Sequence, residues 1–359
     1  MVTGPSTRAS GSSSRWRRAA RGRRRTRSAS SSTAADRLGW PPGLRDAHDG
    51  RSDMSHRRPG FATAGPGRLL SWAGIAATTV LAVVAAEAVL EPRRLITREV
   101  ALRLPRWPAT FDGLRVAVVA DLHVGSPGVP LARVAEVVRR VRAARPELVL
   151  LLGDYLADVR HGPNIDPGAV AGALAPLLDV APHAAVLGNH DWYAGGYRVR
   201  AAFEDAGFTV LEESSCVVDV RGRPLYLAGV ADLWERRPDV AAALTDVPDT
   251  APVLLLSHNP DCVLDAPPRI ALTVSGHTHA GQVAPFRRPL YTISPTTGNR
   301  FVRGRYDVPA GGPAGDLAVR PLYVSPGVGT STLPWRVGVV PEITVLRLWA
   351  PLAACTPPG

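Results

Sequence analysis

Residues 114–123 read LRVAVVADLH, an apolar run that ends in an aspartate and, two residues on, a histidine. A short run that is apolar on both faces is the pattern of a strand covered on both sides by other layers. Alternate residues of an extended segment point the same way, so Asp121 and His123 face one cavity. The arrangement recurs down the chain. VLLL at 149–152 leads into Gly153-Asp154, and AAVL at 184–187 into Gly188-Asn189-His190-Asp191. VLLL at 253–256 is followed by His258, and the run at 270–274 by Gly276-His277-Thr278-His279. Helical spacing of apolar residues over Leu131–Ala144 and Val170–Leu178 separates the first of these strands. Residues 208–229 read instead as three successive strands, with a turn at Arg221-Gly222-Arg223-Pro224. The fold class is therefore α/β with mixed sheets.

The polar words after the apolar runs form one chemical set. Ligands gather at the carboxyl ends of strands in open α/β sheets. Asp121, His123, Asp154, Asn189, His258, His277 and His279 offer only oxygen and imidazole nitrogen, with no thiolate among them. That disfavours a structural zinc site and suits Mn, Fe or Zn in a reactive one. Seven ligands are too many for one ion and right for two divalent metal ions that share a carboxylate.

The order D-x-H, G-D, G-N-H-D, H, G-H-x-H resembles the signature of the calcineurin-like metallophosphoesterases. The resemblance covers Asp121 to His279 and runs more loosely to about Leu348. SGHTHAGQ, the stretch from Arg300 to Gly304, and LYVSPGVGTS followed by PEITVLRL are similar to the membrane-anchored or exported bacterial branch. One departure is Ala280, where glycine is common. The resemblance implies a four-layer α-β-β-α sandwich with a dinuclear metal site at the sheet edge. It implies that Asp121, His123, Asp154 and His279 hold one ion and that Asp154, Asn189, His258 and His277 hold the other. His190 would lie over the substrate phosphate, with Asp191 fixing its orientation. The chemistry would be hydrolysis of a phosphate ester or diphosphate by a hydroxide between the ions. Trp192 and Tyr193 are candidates to pack on a leaving group, Arg300 and Arg303 to meet an anionic one. Asp158 is a supporting residue at most. GNHDW in place of GNHE argues against a Ser/Thr protein phosphatase.

Composition decides where such a protein works. Of the 42 basic residues none is lysine, and 15 arginines against 4 aspartates in residues 1–68 account for the whole net charge of +11. The remainder is neutral, so a nucleic acid is not the expected partner of the body, since phosphate-backbone binding wants a basic face. The Arg/Ser-rich segment 1–68 reads as a disordered tail, with Met54 an alternative start. Residues 69–90, LLSWAGIAATTVLAVVAAEAVL, are long enough to span a bilayer. They read as a single-pass anchor in the cell membrane, with a signal segment cleaved near Ala86-Glu87-Ala88 as the alternative. Arg57-Arg58 is a weak twin-arginine feature. The basic tail favours an extracytoplasmic body. Residues 91–112 read as a linker, 113–350 as the metallophosphoesterase domain and 351–359 as a tail. Three widely spaced cysteines make no disulfide framework.

The expected activity is cleavage of a phosphate ester, with a phosphodiester preferred and a lipid-linked or envelope substrate suggested by the anchor. A nuclease and a non-catalytic metal-binding scaffold are the alternatives. The neutral body argues against the first and the full ligand set against the second.

Overall fold

The computed structural model describes residues 66–157, 165–291, 293–311 and 318–352, all within one unit, Ala64–Gly359. The run at 114–123 forms strand β2, Leu114–Val119, and places Asp121 just beyond its end. Ahead of it lie helix α1, Pro66–Leu90, and strand β1, Ile96–Arg103. Residues 91–112, expected as a linker, thus supply an edge strand. Its alternating polar residues hid it, because its outward face meets solvent. After β2 come helix α2, Ala132–Ala144, and strand β3, Leu148–Leu151. Helix α3, Pro167–Leu174, and strand β4, His183–Ala185, follow. Helices α4, Asn189–Tyr193, and α5, Gly196–Asp205, complete the first half.

The second half holds β5, Ser214–Val220, β6, Arg223–Gly229, β7, Val253–Leu256, and β8, Leu272–Ser275. It ends with β9, Gly304–Pro309, β10, Val319–Val324, and β11, Glu342–Trp349. Where three strands were expected over 208–229 there are two. The segment before them makes only an isolated bridge from Val210 to Ala185. The turn at Arg221-Gly222 is present, with φ at +58° and +74°. That left-handed pair matches the twist of a tight hairpin. The Arg221 guanidinium grips the Glu147 carboxylate with both arms, at 2.6 and 2.8 Å.

The strands form two mixed sheets, in the orders β1-β11-β2-β3-β4 and β5-β6-β7-β8-β10-β9. Alternate residues of β2 and β3 split between two cores. Val116, Val118, Leu150 and Leu152 face the second sheet and meet Leu227, Leu254, Leu256 and Val274. Val119, Leu151 and Val149 face outward, under Val137 and Val141 of α2, Leu174 of α3 and Phe203 of α5. On the far side, Ala228 and Leu255 are covered by Val240, Ala243 and Cys262. The four-layer sandwich stands, with a thin fourth layer built from one-turn helices. Cys216 and Cys262 are free thiols; Cys355 lies outside the described residues, as do Asp158, Met54 and Arg57-Arg58.

Helix α1 is apolar, and its described side chains are largely exposed. The Thr78 and Thr79 hydroxyls each donate to the carbonyl four residues back, at 2.9 Å. These polar atoms are thereby satisfied within the helix. Arg94 pairs with Glu87 at its end, at 3.0 Å.

Candidate metal centre

Strands β2, β3 and β4 run parallel, as do β6, β7 and β8, and the motifs all follow the same ends of these strands. The two sheets thereby bring Asp121, His123, Asp154, Asn189, His258, His277 and His279 to one place. Ligand atoms of Asp121, His123, Asp154 and His279 lie within 4.8 Å of one another, and so do those of Asp154, His258 and His277. Asn189 joins the second group, its Oδ1 standing 3.0 Å from His277 Nδ1.

Asp154 belongs to both groups for a geometric reason. Its Oδ1 accepts the His190 backbone N–H at 2.9 Å. Its Oδ2 is left to face His123 Nε2 at 3.4 Å and His258 Nε2 at 3.2 Å, one ring from each group. Asp121 is arranged alike: Oδ1 accepts the His277 N–H at 2.9 Å, while Oδ2 is buried without a hydrogen-bond partner. Two imidazole nitrogens, of His123 and His279, point at each other across 2.9 Å. Converging lone pairs and an orphaned carboxylate oxygen are what a cation would join. The His258 Nδ1 lies 2.7 Å from the Leu152 carbonyl. An imidazole held at one nitrogen by a carbonyl presents the other to a metal, which leaves His258 Nε2 for the cluster.

The chain pays for this convergence in backbone conformation. Asp121, His123, Asp154, His277 and His279 all have φ between +48° and +70°. That is the left-handed region, which non-glycine residues seldom enter. Glycines make the approach possible. A Cβ on Gly188 would collide with the Asp154 carboxylate and the His258 ring, and one on Gly276 or Gly327 with Asp121. Ala280, the departure from the usual glycine, adopts φ +52° without displacing a ligand.

Burial sets the electrostatics, because it disfavours the charged form of each group. It pushes the Asp121 carboxyl up to about 7 and the His123 and His277 rings down to about 3. His258 moves the other way, to about 10: desolvation opposes its charge, but Asp154 and Asp121 outweigh it. Asp154 falls well below the carboxylate range because the surrounding rings overcome its burial.

His190 and Asp191 are placed differently from each other. His190 Nε2 lies 3.3 Å from the Ser331 hydroxyl, at the wall of a cavity of about 390 Å³ above the cluster. Asp191 does not steer that ring. Both its oxygens are spent on backbone N–H groups: Gly188 at 3.0 Å, Asp154 at 2.7 Å, Tyr155 at 2.9 Å and Leu156 at 3.2 Å. It is fully buried and locks the β3 and β4 motif loops together. Asp191→Ala is expected to cost about 3–5 kcal/mol of stability, since it strands buried donors. Denaturant unfolding of the metal-stripped chain checks this, and a loss under about 1 kcal/mol would refute the bracing role.

The aromatic and basic candidates are redistributed. Trp192 is partly buried and packs against the core, with the Arg236 guanidinium 4.7 Å over its ring. Tyr193 lies edge-on to His190 at 5.4 Å. Arg300 stacks on Phe301, and Arg303 binds Glu342 at 3.0 Å, so both are engaged elsewhere. The aromatic walls of the cavity are Trp234 and Tyr291. Asp232, buried, accepts the Trp234 and Glu235 N–H groups at 2.8 and 2.9 Å and sets the indole edge-on to His277 at 4.2 Å.

Arg336 is the other residue the motifs did not reveal. It is 0% exposed, donates to the Gly329 and Pro326 carbonyls, and has an Nη2 lying 3.4 Å from His279 Nδ1. A lone loop arginine reads as solvated, which is its usual state. Ser331 was legible only as part of a wider stretch.

Comparisons with known proteins follow the same line. The calcineurin-like phosphoesterase family model matches residues 114–281. The metallophosphoesterase YkuE of Bacillus subtilis is 30% identical over 271 residues, covering 72% of this chain and 87% of that protein. The phosphodiesterase YaeI of Escherichia coli is 32% identical over 244 residues, 65% of this chain and 82% of its own. A zebrafish (Danio rerio) transmembrane protein with a metallophosphoesterase domain is 30% identical over 290 residues, and the match spans 76% of this chain and 61% of that one. Among solved structures, a dimetal phosphatase from Danio rerio aligns at a TM-score of 0.36 and 13% identity, over 66% of this chain and 99% of that one.

Proposed function

We propose, for a chain that belongs to the calcineurin-like metallophosphoesterases and is thus a hydrolase of phosphoric ester bonds, a two-metal phosphodiesterase acting on a lipid or envelope-related substrate from the face of a membrane. The observation that carries the two-metal reading is Asp154 Oδ2, set between His123 and His258 with its other oxygen already occupied. Asp121, His123, Asp154 and His279 would hold one ion, and Asp154, Asn189, His258 and His277 the other. Bound there, divalent ions of the Mn, Fe or Zn kind supply charge neutralisation and an activated water.

The chain's own residues do the rest. His190 reaches into the cleft beside Ser331. From there it donates a proton to the departing oxygen. Asp191 acts through the backbone that carries Asp154, as a positioning residue. Trp234, Tyr291 and Leu333 give the leaving group an apolar wall. The preference for a diester finds support in the phosphodiesterase name of the Escherichia coli relative. The membrane reading rests on α1, which is long, apolar and largely exposed, and on relatives named as transmembrane proteins. The anchor is single-pass, and the catalytic domain lies on the extracytoplasmic side.

The test uses the full chain in detergent, stripped and reloaded with Mn, Zn or Fe. Two ions per chain are expected, with turnover of a chromogenic diester exceeding that of the matching monoester. One ion at saturation would sink the dinuclear reading, and a monoester preference would sink the phosphodiesterase reading.

A further inference from the structure

The loops at the mouth of the cleft present large apolar side chains to solvent. Phe286 is 97% exposed, Leu290 68%, Tyr291 50%, Trp335 45% and Leu333 44%. They come from two stretches held as one piece. The Ala284 N–H donates to the Val337 carbonyl at 2.8 Å, and Gln282 Nε2 donates to the Ser331 and Leu333 carbonyls at 2.9 and 3.0 Å. Exposed apolar residues are ordinary when scattered, but a contiguous group of them marks an interaction surface. Tyr291 and Leu333 also line the cavity over the metal cluster, so rim and cleft are continuous.

Helix α1 says what meets that surface. The Arg336 N–H donates to the Ala88 carbonyl in its last turn, at 3.2 Å, and the Gly338 N–H to Glu91 Oε2 at 2.8 Å. Glu91 is buried and β1 begins at Ile96, so no slack separates the helix from the body. An α-helix of this length rises about 37 Å, against a hydrocarbon core of about 30 Å. Its last turn then stands at headgroup level, and Trp335, next to Arg336, stands there with it. That is the zone where Trp and Tyr rings are favoured. Arg287 and Arg288 follow Phe286, and Arg93 follows the helix. Cations are thereby put where lipid phosphates lie.

We infer that residues 286–291 and 333–335 seat in the face of the bilayer that α1 spans, with anionic headgroups around Arg287 and Arg288. The metal cleft then opens at headgroup level and takes amphiphilic phosphoesters directly from the lipid phase. The inference rests on the reading of α1 as a membrane anchor and narrows the substrate class.

Doxyl quenching of tryptophan fluorescence separates the two claims. The full chain is reconstituted in phosphatidylcholine–phosphatidylglycerol vesicles carrying lipid with a doxyl group near the headgroup. Trp72→Phe reports on the anchor and Trp335→Phe on the rim. Each substitution is expected to remove a quenched component, and Phe286→Asp combined with Leu290→Asp to reduce the Trp335 component at least about twofold. If Trp72→Phe removes a quenched component and Trp335→Phe does not, the anchor stands and the seating is overturned. If neither does, the anchor reading falls and the seating with it.

Discussion

Asp154→Asn is expected to lower turnover by on the order of 10³-fold or more and to leave less than one ion per chain. The substitution keeps the shape and removes the charge. The Asn oxygen would stay on the His190 N–H, where Oδ1 now accepts at 2.9 Å. The amide nitrogen would then face His123 and His258, at the spot where both ligand groups need an anionic oxygen. An amide nitrogen brings hydrogens there and no lone pair for a metal. A shared carboxylate lost in this way weakens both sites together. Metal content by elemental analysis, read beside the rate, checks it. Two ions retained would show that Asp154 does not bridge.

His190→Ala is the complementary experiment. It should keep two ions and slow turnover by about 10²–10⁴-fold, the usual worth of a positioned general acid. The ring is held at Ser331 and packs edge-on to His123 at 4.7 Å, but it belongs to neither ligand group. A leaving-group series sharpens the result. Loss should be larger for an alkyl ester, whose departing oxygen needs the proton, than for a nitrophenyl ester, whose oxygen does not. An equal loss across the series would remove the proton-donor role, and emptied metal sites would reassign His190 as a ligand.

The convergence of the seven candidate ligands was legible because each follows an apolar run and a strand end is where a buried polar group can face a cavity. Asp121, Asp154 and His258 follow β2, β3 and β7 for that reason. Asp191 was found in place but its task was misjudged. Sequence adjacency suggested a partner for His190, whereas the one-turn helix directs the carboxylate back to the backbone of residues 154–156. The edge strand β1 stayed hidden because five of its eight residues are exposed, and its register with β11 joins positions that no local pattern links. Arg336 and Asp232 were invisible for a related cause. Each is a polar residue in a loop, and only the tertiary fold buries it. The four-layer architecture was legible through the resemblance, and the thinness of its last layer was not.

The position of β11 has a consequence for biosynthesis. Glu342–Trp349 lies between β1 and β2, pairing Ile96 with Glu342 and Leu114 with Leu348. During synthesis β1 and β2 leave the ribosome well before β11, so the first sheet lacks this inner strand until residues 342–349 have been made. The gap between β1 and β2 stays open through that interval, and such non-local pairing closes slowly. Until β11 docks, the first sheet is unfinished, and the edges of β1 and β2 stay open to proteases and to other unfolded chains.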